Sequence, residues 1–348
     1  MEVLPQFKLH RPANLAEALE IRGSVEEARY ISGGTDLLAN IRRGLTPTEN
    51  LIELSNVAEL QRFERDDEGL HIGAAVTLAT LAADVGIHQD YTVLAEAAAA
   101  VAGATHREVA TIGGNLCLDT RCYFYNQSQW WRDSNDGCMK YEGEICHVVP
   151  TSKRCYAAYS GDTAPALLVL NAEIEIAGPD GSRRVPLDDL FNDDGIDYLT
   201  LKPGEMVTTV HIPPPAQSNM ASSYTKLRIR EAIDFPLAGI AVQVACENGK
   251  ITSLDAAVTG TNSTPIRVTG CDEFIGLEFD EAQGQKLAKL VQKQTSPVQT
   301  TTTKPQYRRR AVTAMSKTLT ENLLQAYPPD QQMIYQSVSF ARPGQALS

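Results

Sequence analysis

The chain has 348 residues, of which 43% are hydrophobic and 21% are charged, as is usual for globular proteins. This length suffices for two or three domains with cores of their own, and the composition excludes a wholly disordered chain. The formal net charge of −12 argues against a general nucleic-acid binder, which needs a concentrated basic face.

The first residues, MEVLPQFKLHRPANL, lack the basic and apolar regions of a secretory signal. No apolar run approaches the ~18 residues of a membrane span. We therefore expect a cytoplasmic protein with no membrane segment. In that reducing compartment the seven cysteines indicate a metal site rather than a disulfide framework, and their odd number agrees with this.

The first third of the chain alternates strand and helix signals. Asn14 is a candidate N-cap for the helix LAEALEI, and ARYISGGTDLLANIRR predicts a strand, a glycine turn and a second helix. NLIELS predicts a further strand. GLHIGAAVTLATLAADV predicts a strand followed by a helix, and VLAEAAAAVA predicts another helix. The sequence ATIGGNLC then supplies a second pair of glycines.

The next segment holds both tryptophans and four of the seven cysteines, Cys122, Cys138, Cys146 and Cys155. It lacks sustained periodicity and is rich in Asn, Asp, Ser and Gly, which predicts a loop with a turn of helix near the tryptophans. Without residues 118–158 the flanking sequences would join as ordinary α/β structure. The segment therefore has the character of an insertion.

Regular structure is predicted again after this insertion. In APALLVLNAEIEIAGPDGSRRVPL the PDG sequence marks a hairpin turn between strands. PPPAQSN, at 213–219, is the preferred domain boundary. Three strands follow (YTKLRIR, AGIAVQVAC and ITSLDAAVTG), then two helices (EAQGQKLAKLVQKQ and RRRAVTAMSKTLTENLLQAY). Residues 328–348 are predicted to form an irregular arm.

Two glycine pairs, Gly33–Gly34 and Gly113–Gly114, are the strongest candidates for ligand binding. Adjacent glycines accept positive φ and let an anion approach the main chain, and a following helix start offers free N–H groups. Two such turns together could hold the two phosphates of a dinucleotide. Neither matches the Rossmann or P-loop pattern, and each could be an ordinary turn.

The order SGGTDLL, then TIGGNL about eighty residues later, resembles the flavoprotein subunit of the xanthine dehydrogenase and carbon monoxide dehydrogenase family. The resemblance continues through DTAPAL, YTKL and YRR and covers nearly the whole chain. It implies an α+β fold: a two-subdomain FAD-binding domain of the vanillyl-alcohol-oxidase type, followed by a carbon monoxide dehydrogenase flavoprotein C-terminal domain. The implied ranges are 1–55 and 56–215 for the subdomains, 220–327 for the C-terminal domain and 328–348 for the arm.

The resemblance also implies the residues that bind FAD, with no catalytic residue in this chain. They are Ile31, Ser32, Gly33, Gly34, Thr35, Asp36, Leu37, Leu38, Thr105, Thr111, Gly113, Gly114, Asn115, Asp162 and Lys226. Competing structural roles remain open for two of them. Asp162 could be a helix N-cap, and Lys226 could be a plain surface lysine.

Most members of the family lack the insertion at 118–158. An insertion with four cysteines is similar to that of the 4-hydroxybenzoyl-CoA reductase branch, where it carries a [4Fe–4S] cluster. The residues alone leave the metal open, because gaps of 15, 7 and 8 residues contain no C-x-x-C knuckle typical of zinc ribbons or ferredoxins. Iron–sulfur, zinc and an empty site are the alternatives.

This resemblance predicts an electron-transfer subunit that works with two other subunits. One is a large molybdopterin subunit and the other a small subunit with two [2Fe–2S] clusters, assembled as a dimer of heterotrimers that receives electrons from ferredoxin. The complex would reduce 4-hydroxybenzoyl-CoA to benzoyl-CoA. The alternatives are a flavin subunit of a molybdenum hydroxylase that oxidises another substrate, and a zinc-stabilised assembly scaffold without flavin.

Overall fold

The computed structural model describes residues 4–215 and 220–326. The predicted arm at 328–348 and part of the predicted boundary at 213–219 lie outside these ranges. The described residues form three separate sheets with helices packed on them. The predicted α+β class is confirmed.

The first sheet contains three parallel strands in the order β1-β3-β2: β1 (Lys8–His10), β2 (Ala28–Ile31) and β3 (Asn50–Glu53). The predicted cap of helix α1 (Leu15–Ser24) is confirmed, because Asn14 Oδ1 accepts a hydrogen bond from the Glu17 N–H at 2.9 Å. The predicted strand, glycine turn and helix are also confirmed, since β2 is followed by the turn and by helix α2 (Leu37–Arg42).

The second sheet has five antiparallel strands in the order β4-β5-β8-β6-β7. These are β4 (Phe63–Asp66), β5 (Gly69–Gly73), β6 (Glu173–Gly178), β7 (Gly181–Pro186) and β8 (Met206–Ile212). The PDG turn joins β6 to β7, as predicted. The apolar face of this five-stranded sheet packs against buried helices of the same region, and together they form the largest core cluster.

The helices of this region are short, and several begin at a residue whose side chain caps the helix N-terminus. They are α3 (Leu78–Ala83), α4 (Val85–Asp90), α5 (Thr92–Ala100), α6 (Ala104–Arg107), α7 (Ile112–Leu116), α8 (Gln129–Asp133) and α9 (Thr163–Val169). Helix α8 is the predicted helical turn around the tryptophans. Residues Arg121 and Ala158 form a bridge of two 2.7 Å backbone hydrogen bonds, so the two ends of the cysteine segment lie side by side.

The third sheet is antiparallel, in the order β12-β11-β10-β9. Its strands are β9 (Met220–Leu227), β10 (Ala238–Glu247), β11 (Lys250–Thr259) and β12 (Ile266–Arg267). Helices α10 (Glu281–Gln294) and α11 (Pro305–Ala326) pack against each other, and α11 contacts β10. Leu287, Val291 and Val312 on these helices are fully buried and close the second large core. No helix in 4–215 or 220–326 has the length and apolar character that a membrane crossing requires.

The cysteine segment is attached to this C-terminal region by several main-chain contacts. The Tyr123 N–H donates to Thr300 O at 2.7 Å, and the Tyr159 N–H donates to Asn262 O at 2.9 Å. The hydroxyl of Ser263 donates to Cys155 O at 3.4 Å. Arg308, fully buried in α11, donates hydrogen bonds to Val298 O at 2.9 Å and to Thr300 Oγ1 at 3.0 Å. It thereby supports the loop between α10 and α11 that Tyr123 contacts.

Candidate functional site

A cavity of about 1140 Å³ lies between the first two sheets and the loop that joins β9 to β10. Both predicted glycine turns line it, one before α2 and the other at the start of α7. Ligand pockets commonly span roughly 300–1,000 Å³. The cavity therefore has room for a ligand as large as a dinucleotide.

The first glycine turn needs its two glycines for different reasons. A Cβ on Gly33 would lie 1.9 Å from Val109 O, so only glycine allows this close approach of two backbones. Gly34 has φ +67°, the left-handed conformation that side chains disfavour. Asp36, at the end of the turn, accepts a hydrogen bond from Asn40 Nδ2 at 3.1 Å and forms an ion pair with Arg121.

The second glycine pair does not adopt positive φ, and close packing is the reason that glycine is needed there. A Cβ on Gly113 would lie 2.7 Å from Ala74 Cβ, whereas a Cβ on Gly114 would meet only Thr111 Oγ1, at 3.2 Å. Thr111 Oγ1 accepts a hydrogen bond from the Gly114 N–H at 3.2 Å and so caps α7. The expectation of positive φ at both pairs is wrong here, since Gly34 alone of these four glycines adopts it.

Most of the predicted FAD residues line the cavity. Those that do are Ile31, Ser32, Gly33, Gly34, Thr35, Asp36, Leu37, Thr111, Gly113, Gly114, Asn115 and Asp162. Leu38, Thr105 and Lys226 lie outside this lining. Leu38 packs in the small core of the first sheet, and Thr105 is exposed on α6. Asn115 lines the cavity and also accepts hydrogen bonds from the N–H and hydroxyl of Thr163, at 3.0 and 2.7 Å.

Asp162 and Lys226 form a buried ion pair beside the cavity. Lys226 Nζ lies 3.1 Å from Asp162 Oδ2, and the Tyr224 hydroxyl donates to Asp162 Oδ1 at 2.6 Å. Burial raises the pKa of the Asp162 carboxyl although Lys226 and Tyr224 both oppose this rise. Asp162 makes no capping hydrogen bond to α9, and the side chain of Lys226 is only 3% exposed. Neither competing structural role is observed.

Four buried polar atoms of three cavity-lining residues have no hydrogen-bond partner among the described residues. They are Ser32 Oγ, His106 Nδ1, and Nε and Nη2 of Arg121, although Nη2 forms the ion pair with Asp36. Buried polar atoms in folded proteins are nearly always satisfied, so unpaired ones at a cavity indicate a ligand that completes them. A polar ligand with several acceptors, such as FAD, fits this requirement.

Sequence reasoning missed several residues that line the cavity, among them Arg121, Tyr198 and Phe235. The Arg121 guanidinium lies 4.6 Å from the centre of the Phe235 ring, and burial lowers its pKa to about 10. Arg121 lies near the start of the inserted segment, and Phe235 belongs to the loop between β9 and β10. No local pattern links such distant positions, so the sequence held no signal for this contact.

The four cysteines of the inserted segment line a second, much smaller cavity, referred to below as the cysteine cavity. Its volume is about 10 Å³, roughly that of one water-sized probe. Cys122, Cys138, Cys146 and Cys155 are each at most 8% exposed. Phe124, Met139, His147 and Val148 are among the side chains that surround them.

The cysteine cavity disfavours thiolates in the absence of a metal. Burial raises the pKa of Cys122 to about 12 and that of Cys155 to about 11. For Cys155 the Ala157 N–H, 3.4 Å from Sγ, and the Lys140 ammonium oppose the rise. A bound metal ion would reverse this balance, because it stabilises coordinated thiolates strongly.

Within 4–215 and 220–326, no group of three or more histidine, cysteine, aspartate or glutamate side chains is arranged to hold a metal ion. Four buried thiols around one cavity nevertheless have the donor chemistry of an iron–sulfur or zinc centre.

Comparison with known proteins gives consistent results over nearly the whole chain. Residues 5–215 match the model of the FAD binding domain in molybdopterin dehydrogenase, and residues 222–324 match that of the CO dehydrogenase flavoprotein C-terminal domain. The aldehyde oxidoreductase FAD-binding subunit PaoB of Escherichia coli (strain K12) is 32% identical over 277 residues, which cover 76% of this chain and 85% of that protein.

More distant similarities support the same fold. The carbon monoxide dehydrogenase medium chain of Afipia carboxidovorans is 24% identical over 84% of this chain and 87% of that protein. The solved structure of reconstituted CO dehydrogenase from Oligotropha carboxidovorans superposes with a TM-score of 0.77 at 22% identity, covering 94% of this chain and 100% of that one. Quinoline 2-oxidoreductase from Pseudomonas putida 86 gives a TM-score of 0.75 at 20% identity, covering 93% and 99% of the two chains.

Proposed function

The chain belongs to the family of FAD-binding subunits of molybdenum-containing dehydrogenases, and from this premise we propose that it carries both FAD and a [4Fe–4S] cluster. It would transfer electrons between them within a 4-hydroxybenzoyl-CoA reductase. The observation that carries the proposal is the convergence of Cys122, Cys138, Cys146 and Cys155 on one buried cavity. A cluster held there would give the family's flavin fold a second redox site.

The proposed flavin site is the large cavity. The turns at Gly33–Gly34 and Gly113–Gly114 would hold the diphosphate, with Ser32, His106 and Arg121 completing its hydrogen bonds. Lys226, paired with Asp162, would supply positive charge near the ring system. When bound, FAD exchanges electrons singly or in pairs, which suits it to join one-electron and two-electron partners.

The proposed partners follow from the family. A molybdopterin-containing large subunit would bind 4-hydroxybenzoyl-CoA and remove its phenolic hydroxyl. This step consumes two electrons and two protons and yields benzoyl-CoA and water. A small subunit with two [2Fe–2S] clusters would connect it to this chain, in a cytoplasmic dimer of heterotrimers. Ferredoxin would supply the electrons, and the cluster would receive them before the flavin.

A second candidate is a flavin subunit that serves substrate oxidation. It is favoured by the relatives described above, whose names include an aldehyde oxidoreductase and carbon monoxide dehydrogenases. Under this alternative the cysteine cavity would be structural, with or without zinc. The visible spectrum of the purified chain distinguishes the candidates, since an iron–sulfur centre adds a broad absorbance to the flavin bands.

The deciding experiment replaces each of the four cysteines by serine in separate variants, purified without oxygen. Serine is a harder and less acidic ligand than cysteine. We expect about four irons per parent chain and clear loss of iron in every variant. Flavin should be retained, because none of these four cysteines lines the large cavity. Cys271→Ser is the control, since Cys271 is equally buried but lies in the C-terminal region. Zinc in place of iron, or iron unchanged in two of the four variants, would refute the proposal.

A further inference from the structure

The large cavity and the cysteine cavity share a wall. Tyr125 and Lys140, both from the inserted segment, line the two cavities at once. Lys140 lies in the chain between Cys138 and Cys146, whereas its neighbours Asp119 and Tyr198 line the large cavity. The inserted segment is therefore part of the flavin site as well as the source of the cysteines.

The ammonium group of Lys140 is held firmly in this wall. Its Nζ lies 2.6 Å from Asp119 Oδ1 and donates to Gly195 O at 2.7 Å and to the Thr120 hydroxyl. The side chains of Lys140 and Asp119 are 7% and 16% exposed. The ammonium lies 4.6 Å from the centre of the Tyr125 ring and 5.3 Å from that of Tyr198. A cation with three such acceptors has a fixed position.

We propose that Lys140 is a positioning residue common to both redox sites, whose fixed charge sets the reduction potentials of the flavin and of the cluster together. This inference rests on the proposed function. Reduction adds negative charge, and a nearby cation stabilises the reduced form more strongly when burial limits screening by solvent. Because Lys140 borders both cavities, it acts in the same direction on both centres. Asp119 opposes it, so the two residues are expected to have effects of opposite sign.

The test measures both midpoint potentials by anaerobic spectroelectrochemistry, together with the iron and flavin content of each variant. Lys140→Met removes the cation and leaves the Asp119 carboxylate, so both potentials should shift to more negative values. Asp119→Asn leaves the cation without its counter-charge, and both potentials should shift to more positive values. Lys140→Arg keeps the charge and should stay close to the parent.

Lys153→Met is the matched control, because Lys153 belongs to the same inserted segment but is exposed, and it should change neither potential. If Lys140→Met fails to retain both cofactors, the effect of the cation is measured by comparing Asp119→Asn with the double variant Asp119→Asn/Lys140→Met. Both potentials should then be more negative in the double variant. A shift at one centre only, or shifts of the same sign in Lys140→Met and Asp119→Asn, would overturn the inference. These outcomes leave the proposed function intact, whereas a parent chain without iron would overturn both.

Discussion

The two cavities are built in contrasting ways. The large cavity is assembled from loops of all three sheet regions, and glycines at its edge let backbones meet. The cysteine cavity is lined entirely by residues between Cys122 and Ala157, and its cysteine, aromatic and aliphatic side chains leave almost no empty space. Tertiary structure creates the first site and a single stretch of chain creates the second. The large cavity should therefore respond to changes in folding contacts, and the cysteine cavity to changes in its ligands.

The largest expected effect is the loss of the buried ion pair beside the large cavity. Lys226→Met leaves the Asp162 carboxylate buried without a cation, and we expect the free energy of unfolding to fall by about 3 kcal/mol at pH 7. Burial already raises the pKa of Asp162 in the parent, and removing Lys226 raises it further. The folded variant then binds the proton more tightly than the unfolded chain does. Its stability must fall as the pH rises from about 4 through the folded pKa.

The deficit of Lys226→Met should accordingly be small near pH 4 and greatest at neutral pH, as measured by urea unfolding across that range. The double variant Asp162→Asn/Lys226→Met is the control, and it should recover most of the lost stability. A deficit that does not change with pH would mean that Lys226 contributes through packing alone. The charges of the Asp162–Lys226 pair would then contribute nothing to stability beside the large cavity.

The next effect separates two glycines of the same cavity. Gly33→Ala drives a Cβ into Val109 O, a backbone atom that cannot swing aside, and should cost about 2–3 kcal/mol. A Cβ on Gly114 meets only Thr111 Oγ1, so the stability of Gly114→Val should fall less than that of Gly33→Ala, while its FAD content falls. Urea unfolding and flavin absorbance after gel filtration test both variants. Full FAD occupancy in Gly114→Val would remove the second glycine pair from the proposed phosphate site.

The smallest effect probes the wall between the cavities. Tyr125→Phe loses hydrogen bonds to Leu45 O at 3.3 Å and to Asp119 Oδ2 at 3.2 Å, and should cost about 1 kcal/mol. Tyr123→Phe is the control, because that ring is 40% exposed, and it should be nearly neutral. Equal stabilities of the two variants in urea unfolding would show that the wall depends on ring packing and not on these hydrogen bonds.

Local patterns were sufficient to predict much of the fold. The Asn14 cap, the strand and helix on either side of Gly33–Gly34, and the PDG hairpin each depend on residues close in sequence. The short strands β1 and β4 were not predicted, because their sequences, KLH and FERD, contain no apolar run of the kind that indicated β3. Strand β8 was also not predicted, although its sequence, MVTTVHI, is rich in the β-branched residues that favour strands.

In the candidate site, too, features that depend on neighbouring residues were predicted and contacts between distant segments were not. Both glycine pairs were found from the sequence because two adjacent glycines flanked by hydroxyl and amide side chains are themselves a local signal. The contact of Gly33 with Val109 and that of Arg121 with Phe235 exist only after distant segments meet. The sequence also misassigned the cause at Gly114, where the helical backbone of α7 replaces the expected positive φ. Composition indicates which residue types a site needs, while packing decides how each one is used.

The hydrogen bond from Tyr123 to Thr300 has a consequence for the order of events during protein synthesis. Ribosomes add about 5–20 residues per second, so Thr300 emerges on the order of ten seconds after Cys155 has been made. During that interval the cysteine segment lacks this contact with the C-terminal region. If the proposed cluster is assembled on the finished fold, the four thiols have to stay reduced until the C-terminal region has been made.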